Sequence, residues 1–163
     1  MMLGARMPFW FFSLSLVVGL LLQLILLPDL LSPARPLWLP LLIAYWALVE
    51  PRVPVLVGAF ISGITMDVLF NSVLGQHALG LVVLAYIVSR MRPIFILFPL
   101  WQATLALAPA WMLYIYLMFW IDLVTHHQAD VWLRWLPVVS TTLLWPLVFA
   151  LMEAMRGHRN DSE

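Results

Sequence analysis

The stretch GAFISGITMDVLFNSVLGQHALG, residues 58–80, places one carboxylate, Asp67, inside an otherwise apolar run. Gly63 lies four residues before Asp67, and Asn71 lies four residues after it. An ionised aspartate at the centre of a bilayer costs roughly 2.5–3.5 kcal/mol on insertion scales, so such a residue normally faces protein, water or a partner. The stretch therefore predicts a helix with one face turned away from lipid, and it makes Asp67 the first candidate site residue.

Small residues precede this aspartate on the same helical face. Ala59, Gly63 and Asp67 recur every four residues, and Ser62 lies beside them. Small side chains at this spacing let a second helix approach closely. We therefore expect Asp67 to lie against another helix. Gly75, in the turn that follows, is expected to adopt a positive φ.

The composition is that of an integral membrane protein. Of the 163 residues, 64% are hydrophobic and 10% are charged, and the mean hydropathy is +1.01, whereas soluble proteins have about 25% charged residues. Eight acidic residues balance eight basic ones, all of them arginine, so net charge gives no reason to expect nucleic acid or an anionic substrate. The absence of cysteine excludes disulfides, thiolate chemistry and iron–sulfur clusters.

The apolar runs predict one polytopic domain over residues 1–163, an all-α integral membrane protein folded as a compact bundle of about six transmembrane helices. The predicted spans are residues 9–27, 37–49, 55–70, 77–89, 101–121 and 136–152. The first run resembles a signal peptide, but it is 19 residues long and lacks a small-x-small cleavage site, so an uncleaved helix is expected. Its one strongly polar residue, Gln23, is expected to hydrogen-bond to a neighbouring helix.

Two of these spans are short, and residues 37–49 could also form a re-entrant segment. Trp38 and Trp46 near its ends, with Arg35 and Arg52 just outside, favour a span. Pro99 and Pro109 interrupt the run before and within residues 101–121, which predicts a kinked helix there.

The arginines predict the orientation of the bundle. With the N-terminus inside, six arginines lie inside and two outside: Arg6, Arg52, Arg90, Arg92, Arg156 and Arg159 against Arg35 and Arg134. This bias follows the positive-inside rule and predicts that both termini are cytoplasmic. Asp67 and the turn over residues 71–76 then belong to the outer half.

The residues give little support for catalysis or metal binding. His126 and His127, with Asp122 and Asp130, could be imagined as a zinc site, but adjacent histidines on a helix point about 100° apart and chelate poorly together. An intramembrane serine protease would pair a serine such as Ser62 with a histidine, yet every histidine except His77 lies outside the apolar runs. No GxxxxGK phosphate loop occurs. We expect no enzyme activity, no metal and no cofactor.

Asp67 itself admits two kinds of role. It could carry a proton or bind a substrate. It could instead cap or hydrogen-bond the Asn71 turn, or pair with an arginine such as Arg35. A proton path usually needs a series of ionisable groups, and the apolar runs offer one strong candidate. This favours a structural or partner-binding role.

Four short motifs occur in a characteristic order: LLQLILLPD at residues 21–29, RPLW at residues 35–38, GxxxxGxxxDxxxxxxLG at residues 58–75 and LWP at residues 144–146. In this order and spacing the chain resembles the MreD family of bacterial rod shape-determining proteins over nearly its whole length. The DLVTHHQAD segment, residues 122–130, departs from any motif associated with that family.

The resemblance implies a non-catalytic scaffold of the cell-wall elongation complex in the bacterial inner membrane, helping to maintain rod shape through peptidoglycan synthesis. It implies a fold similar to that of substrate-binding subunits of energy-coupling vitamin transporters. The implied partners are an MreC-like single-span protein and, directly or indirectly, an MreB-like filament, a RodA-like glycosyltransferase and an elongation-specific penicillin-binding transpeptidase.

On this interpretation one set of residues shapes a partner-binding surface or pocket and a second set is structural. The first set is Arg35, Pro36, Trp38, Gly63, Asp67, Asn71 and Gly75, and the second is Ala59, Ser62, Trp145 and Pro146. The alternative function is a small-molecule or lipid-binding membrane subunit of a transporter, which the one buried acid and the nearby tryptophans would suit.

Overall fold

The computed structural model describes residues 9–25, 34–95, 97–124 and 135–160, with side chains up to Met155. These ranges contain six α-helices and no strand, which confirms the predicted all-α fold. The helices are α1 (Phe9–Leu24), α2 (Trp38–Val49), α3 (Val55–Leu69), α4 (Gln76–Phe95), α5 (Leu100–Val124) and α6 (Leu136–Asn160).

Three of the described helices are long and apolar enough to cross a membrane: α4, α5 and the part of α6 up to Met155. The other three, α1, α2 and α3, have 16, 12 and 15 residues, and a spanning helix usually needs about 17–25. Large apolar side chains are exposed on the outside of the bundle, as on a lipid-facing surface. The number of membrane crossings stays a prediction.

The short helix α2 forms the centre of the bundle. Residues 39–47 are all buried, since α2 packs against α1, α3, α4 and α6. At its start, Leu37 N–H donates to Thr141 Oγ1 of α6 at 3.0 Å, and Trp38 N–H donates to Gln23 Oε1 of α1 at 3.1 Å. The expected hydrogen bond of Gln23 to a neighbouring helix is confirmed. Side chains of two other helices thus satisfy backbone donors that a helix start leaves unpaired.

An arginine side chain caps the C-terminal end of α2. Arg92 of α4 donates from Nε, at 3.0 Å, and from Nη2 to the carbonyl oxygen of Ala47. A cation at this position satisfies an acceptor in the last turn and opposes the partial negative charge of a helix C-terminus. Nearby, the Tyr45 hydroxyl donates to Glu153 Oε1 of α6 at 2.8 Å.

Successive helices run in opposite directions, so the bundle has two ends. We call the end that holds Leu24, Trp38 and Leu69 the Asp67 end, and the opposite end the Arg92 end. At the Asp67 end, Gln76 Nε2 donates to Asp122 Oδ1 at 2.7 Å and joins the start of α4 to the end of α5.

Several helix bounds differ from the predicted ones. Helix α4 continues to Phe95, beyond the predicted end at Ser89, because Arg92 finds an acceptor inside the protein. Pro93 lies in its last turn and removes one backbone N–H donor there. The helices α5 and α6 also exceed their predicted ranges, with Pro109 and Pro146 inside them. Conversely, α1 ends at Leu24, before the predicted bound at residue 27.

Candidate functional site

Asp67 lies at the end of α3 and is 1% exposed. Its Oδ1 accepts from the Ser72 hydroxyl at 2.9 Å and from the His77 backbone N–H at 2.9 Å, and it lies 2.7 Å from His77 Nδ1. Its Oδ2 accepts from Gly75 N–H at 2.8 Å. The carboxylate therefore has four contacts, all within the ten residues that follow it.

The local backbone explains how these donors converge on one carboxylate. Asn71 and Gly75 have φ values of 51° and 94°, so the chain turns sharply between α3 and α4. The turn brings Gly75 N–H and His77 N–H, at the start of α4, to the side chain of Asp67. Asp67 thus acts as a remote N-cap of α4, where a negative charge is favourable.

A close crossing of α3 and α4 supports this turn. A Cβ added at Gly63 would overlap the backbone of Ala78, so the two helices can approach this closely only with glycine there. Ala59 is fully buried on the same face. Ser62 is also buried, and its hydroxyl donates to Gly58 O at 2.5 Å.

The group Ser72, His77 and Asp67 has the residue types of a hydrolase triad but a different arrangement. In a triad, the serine and the aspartate contact opposite nitrogens of the histidine ring. Here Asp67 Oδ1 and Ser72 Oγ, at 3.3 Å, both lie at Nδ1. Nδ1 carries the proton in this geometry, because it faces a carboxylate. The arrangement holds a buried carboxylate and does not activate the serine.

Arg35, Pro36 and Trp38 lie at the Asp67 end but make separate contacts. Arg35 Nη2 donates to Ile25 O at 2.5 Å, while its buried Nε has no hydrogen-bond partner in the described part of the chain. Burial lowers the pKa of the Arg35 guanidinium from its usual value. Within the described ranges, no ion pair joins Arg35 to Asp67, whose side-chain partners are His77 and Ser72. Pro36 O accepts from Trp38 N–H at 3.0 Å, next to Gln23.

Trp145 of α6 belongs to the hydrophobic core of the bundle, and Pro146 beside it is half-buried. The Trp145 ring is fully buried and lies 6.0 Å from Trp111 and 5.8 Å from Phe149, measured between ring centroids. Its indole N–H has no acceptor among the described residues. Trp145 therefore contributes to packing, while its indole N–H makes no hydrogen bond with the described residues.

The structure thus brings Gly63, Asp67, Asn71 and Gly75 together, while Arg35 and Trp38 lie at the start of α2. Sequence reasoning missed Ser72 and His77 as partners of Asp67. The only indication for His77 in the sequence was that it alone among the histidines falls within a predicted apolar run, at residues 77–89. His126, His127 and Asp130 lie outside the described residues, and among those described no group of three metal-binding side chains occurs.

The sequence was compared with known proteins. A family model described as rod shape-determining protein MreD matches residues 5–155. The chain belongs to the MreD family. Rod shape-determining protein MreD of Haemophilus influenzae is 32% identical over 148 residues, which cover 90% of this chain and 91% of the relative. No solved structure matches the chain, so the likeness to vitamin-transporter subunits stays a prediction.

MreD membership gives the chain a role in rod shape determination and agrees with a membrane protein, for which three of the described helices are long and apolar enough. All eleven candidate residues lie inside the range matched to the MreD family. MreD is a family of shape-determining structural proteins, in keeping with an Asp67 carboxylate that is fully engaged within its own turn.

Proposed function

We propose that the chain is a non-catalytic scaffold of the cell-wall elongation complex in the bacterial inner membrane. It binds an MreC-like single-span protein and helps maintain rod shape through peptidoglycan synthesis. MreB-like, RodA-like and penicillin-binding partners join the same complex directly or through that protein. Family membership supports the rod-shape part of this proposal.

The observation that carries partner binding is the turn between α3 and α4. Its apolar side chains Phe70, Val73 and Leu74 are 40%, 41% and 71% exposed. They lie at the Asp67 end of the bundle, where hydrogen bonds from Ser72 and Gly75 to the buried Asp67 carboxylate hold the turn in one conformation. A fixed apolar surface loses little conformational freedom on binding, which favours association, and exposed apolar patches commonly mark interaction sites.

The occupant that suits this surface is a membrane-anchored helix. The exposed turn has no charged side chain, since Asp67 is buried and the neighbouring residues 68–75 are uncharged. An apolar segment of a partner span, where it leaves the bilayer, could cover Phe70 and Leu74 without leaving a charge unpaired. With both termini cytoplasmic, as the arginines predict, this end is the outer one, where an MreC-like protein has most of its mass.

Two matched leucine substitutions test this interface. Leu74→Ser lies in the α3–α4 turn, and Leu97→Ser lies in the α4–α5 turn at the opposite end, with 71% and 81% of each leucine exposed. Tagged variants are purified from gently solubilised membranes, and the recovered MreC-like partner is quantified. Leu74→Ser is expected to lower recovery several-fold and to round the cells, while Leu97→Ser leaves both unchanged. Equal recovery with both variants would reject the turn as the contact.

The turn itself can be tested with Asp67→Ala. Without the carboxylate, the donors of Ser72, Gly75 and His77 lose their shared acceptor, so the apolar surface should lose its fixed shape. We expect weaker co-purification with the MreC-like partner. An intact complex and normal cell shape would count against the scaffold surface proposed here.

The orientation has its own test. The chain contains no cysteine, so Leu74→Cys and Leu97→Cys each introduce a single thiol. A membrane-impermeant maleimide added to intact spheroplasts should label position 74 and spare position 97. The reverse pattern would place the Asp67 end in the cytoplasm and exclude a periplasmic contact at this turn.

A further inference from the structure

A cavity of about 470 Å³ opens at the Arg92 end, away from the Asp67 turn. Its walls come from the ends of α2 and α4, the start of α5, and α6, and they are mostly apolar. The volume lies within the roughly 300–1,000 Å³ range of ligand sites. Along α4, His77 and Arg92 are about 22 Å apart at 1.5 Å per residue, so this site is separate from the proposed partner surface.

The cationic group in the wall is Arg92. It donates from Nε and Nη2 to Ala47 O, and a guanidinium has five N–H donors, so donors remain for a further acceptor. No carboxylate of the described residues pairs with it within 4.0 Å. Glu50 lies close enough to interact through space and offsets part of the charge. The wall thus combines apolar surface with a guanidinium that keeps N–H donors for a further acceptor.

A tryptophan ring forms part of the wall. Trp145 lines the cavity and is fully buried, and its indole N–H, which no described residue accepts, is itself enclosed by protein. The Trp111 indole N–H is equally buried and unpaired among the described residues, although Trp111 does not line the cavity. A ligand is therefore indicated by Arg92 and the apolar walls, and not by the indole donor.

The mouth of the cavity is apolar and is flanked by positive charge. Phe98 and Leu100 line it and are 39% and 42% exposed, as expected for side chains that meet lipid. Two exposed arginines flank the cavity. Arg52 directly follows the lining residue Pro51, and Arg90 lies two residues before the lining residue Arg92. Basic pockets between membrane helices are sites where anionic lipid head groups bind.

We propose that this cavity binds an anionic phospholipid from the surrounding bilayer. The lipid phosphate accepts from the free donors of Arg92. The acyl chain lies against Phe95, Phe149 and Ala103 and leaves past Phe98. A soluble phosphate would satisfy Arg92 but would leave the apolar walls uncovered.

The test uses the full chain, purified in neutral detergent and freed of lipid. Native mass spectrometry then measures the binding of phosphatidylglycerol, phosphatidylcholine and inorganic phosphate. For the unmodified chain we expect phosphatidylglycerol to bind about tenfold more tightly than phosphatidylcholine. Both lipids offer a phosphate to Arg92, but the choline ammonium of phosphatidylcholine is repelled by Arg92, Arg52 and Arg90. Equal binding of the two lipids would overturn the proposal.

Matched variants separate the cavity from general surface charge. Arg92→Gln and Arg90→Gln remove the same charge from the same helix, but only Arg92 lines the cavity. We expect Arg92→Gln to lose about tenfold in affinity for phosphatidylglycerol and Arg90→Gln to lose less than about twofold. Equal losses would show non-specific attraction to a basic surface and would overturn the site.

A further variant keeps the test decisive if Arg92→Gln does not fold once Ala47 loses its donor. Ala103→Leu fills the cavity while Arg92 is retained. It is expected to weaken phosphatidylglycerol binding, and unchanged affinity would exclude the cavity. Inorganic phosphate that binds as tightly as the lipid, and is lost in the same variants, would identify a solute site instead.

Discussion

Asp67 and His77 meet twice across the turn between α3 and α4. Asp67 Oδ1 accepts the His77 backbone N–H at 2.9 Å and lies 2.7 Å from Nδ1 of the ring. One residue therefore supplies both a helix-start donor and a ring donor to the same oxygen. The geometry joins the end of one helix to the start of the next through a side chain that is 1% exposed.

The first prediction concerns the charge and acceptor capacity of Asp67. In Asp67→Asn one oxygen becomes an NH₂ group, so a donor such as Gly75 N–H loses its acceptor. A buried donor left unpaired costs about 1–3 kcal/mol, and the thermal midpoint in detergent should fall accordingly. Thr65→Ala on the same helix is the control, because its hydroxyl donates only to Ile61 O of its own helix. Equal midpoints for the two variants would contradict the N-cap role.

The second prediction concerns the close crossing at Gly63. Gly63→Ala forces a methyl group into the backbone of Ala78, which cannot move without separating α3 and α4. Overpacking of this kind costs about 1–3 kcal/mol. Gly19→Ala is the matched control, because its methyl group would meet the movable δ-methyl of Leu42. Thermal unfolding should rank Gly63→Ala well below Gly19→Ala, and the reverse order would exclude a tight α3–α4 contact.

The third prediction concerns the backbone at Gly75. Its φ is 94°, and no atom lies within 4 Å of where a Cβ would be, so Gly75→Ala introduces conformational strain without a clash. A non-glycine residue with positive φ costs about 1–2 kcal/mol. Gly75→Asn should lose less, because asparagine tolerates this conformation better. If both variants unfold at the temperature of the unmodified chain, the turn geometry is wrong.

The fourth prediction concerns the start of α2. Thr141→Val keeps the side-chain shape but removes the acceptor of Leu37 N–H in a fully buried position. The cost is about 1–3 kcal/mol. The neighbouring Thr142→Val is the control, because that hydroxyl donates to Val138 O of its own helix. A lower thermal midpoint is expected for Thr141→Val alone.

The sequence was sufficient for the six helices of the described ranges, because each apolar run is bounded by prolines, glycines or charges. It was not sufficient for the end of α4, where Arg90 and Arg92 were interpreted as a membrane boundary. Arg92 instead points its donors at Ala47 O, forty-five residues earlier in the chain. No local pattern reveals a partner at that distance.

The sequence identified Asp67 as the central residue of the candidate site, but it did not identify Ser72 and His77 as its hydrogen-bond partners. Asp67 stood out because a carboxylate in an apolar run is costly. Its partners depend on two positive φ values, at Asn71 and Gly75, which fold the chain back on itself. Sequence spacing alone does not give that path, so Arg35 was considered as a partner and His77 was not.

The central position of α2 was not readable from composition. Its twelve residues contain no charged side chain and no polar face, but a helix that is apolar all round is either enclosed by protein or in contact with lipid. The predicted span emphasised its tryptophan flanks instead. The burial of residues 39–47 depends on the helices that pack around α2, which its own sequence does not reveal.

The length of α2 shows what the helices around it supply. Twelve residues span about 18 Å, against a hydrocarbon layer of about 30 Å. If α2 stands upright, it ends about 6 Å short of each surface. Its ends need neither water nor head groups at that depth, because Gln23 and Thr141 accept from the donors at its start and Arg92 donates to Ala47 O near its end. Non-helical backbone at membrane depth is tolerated where protein surrounds it, and the longer neighbouring helices provide that surrounding here.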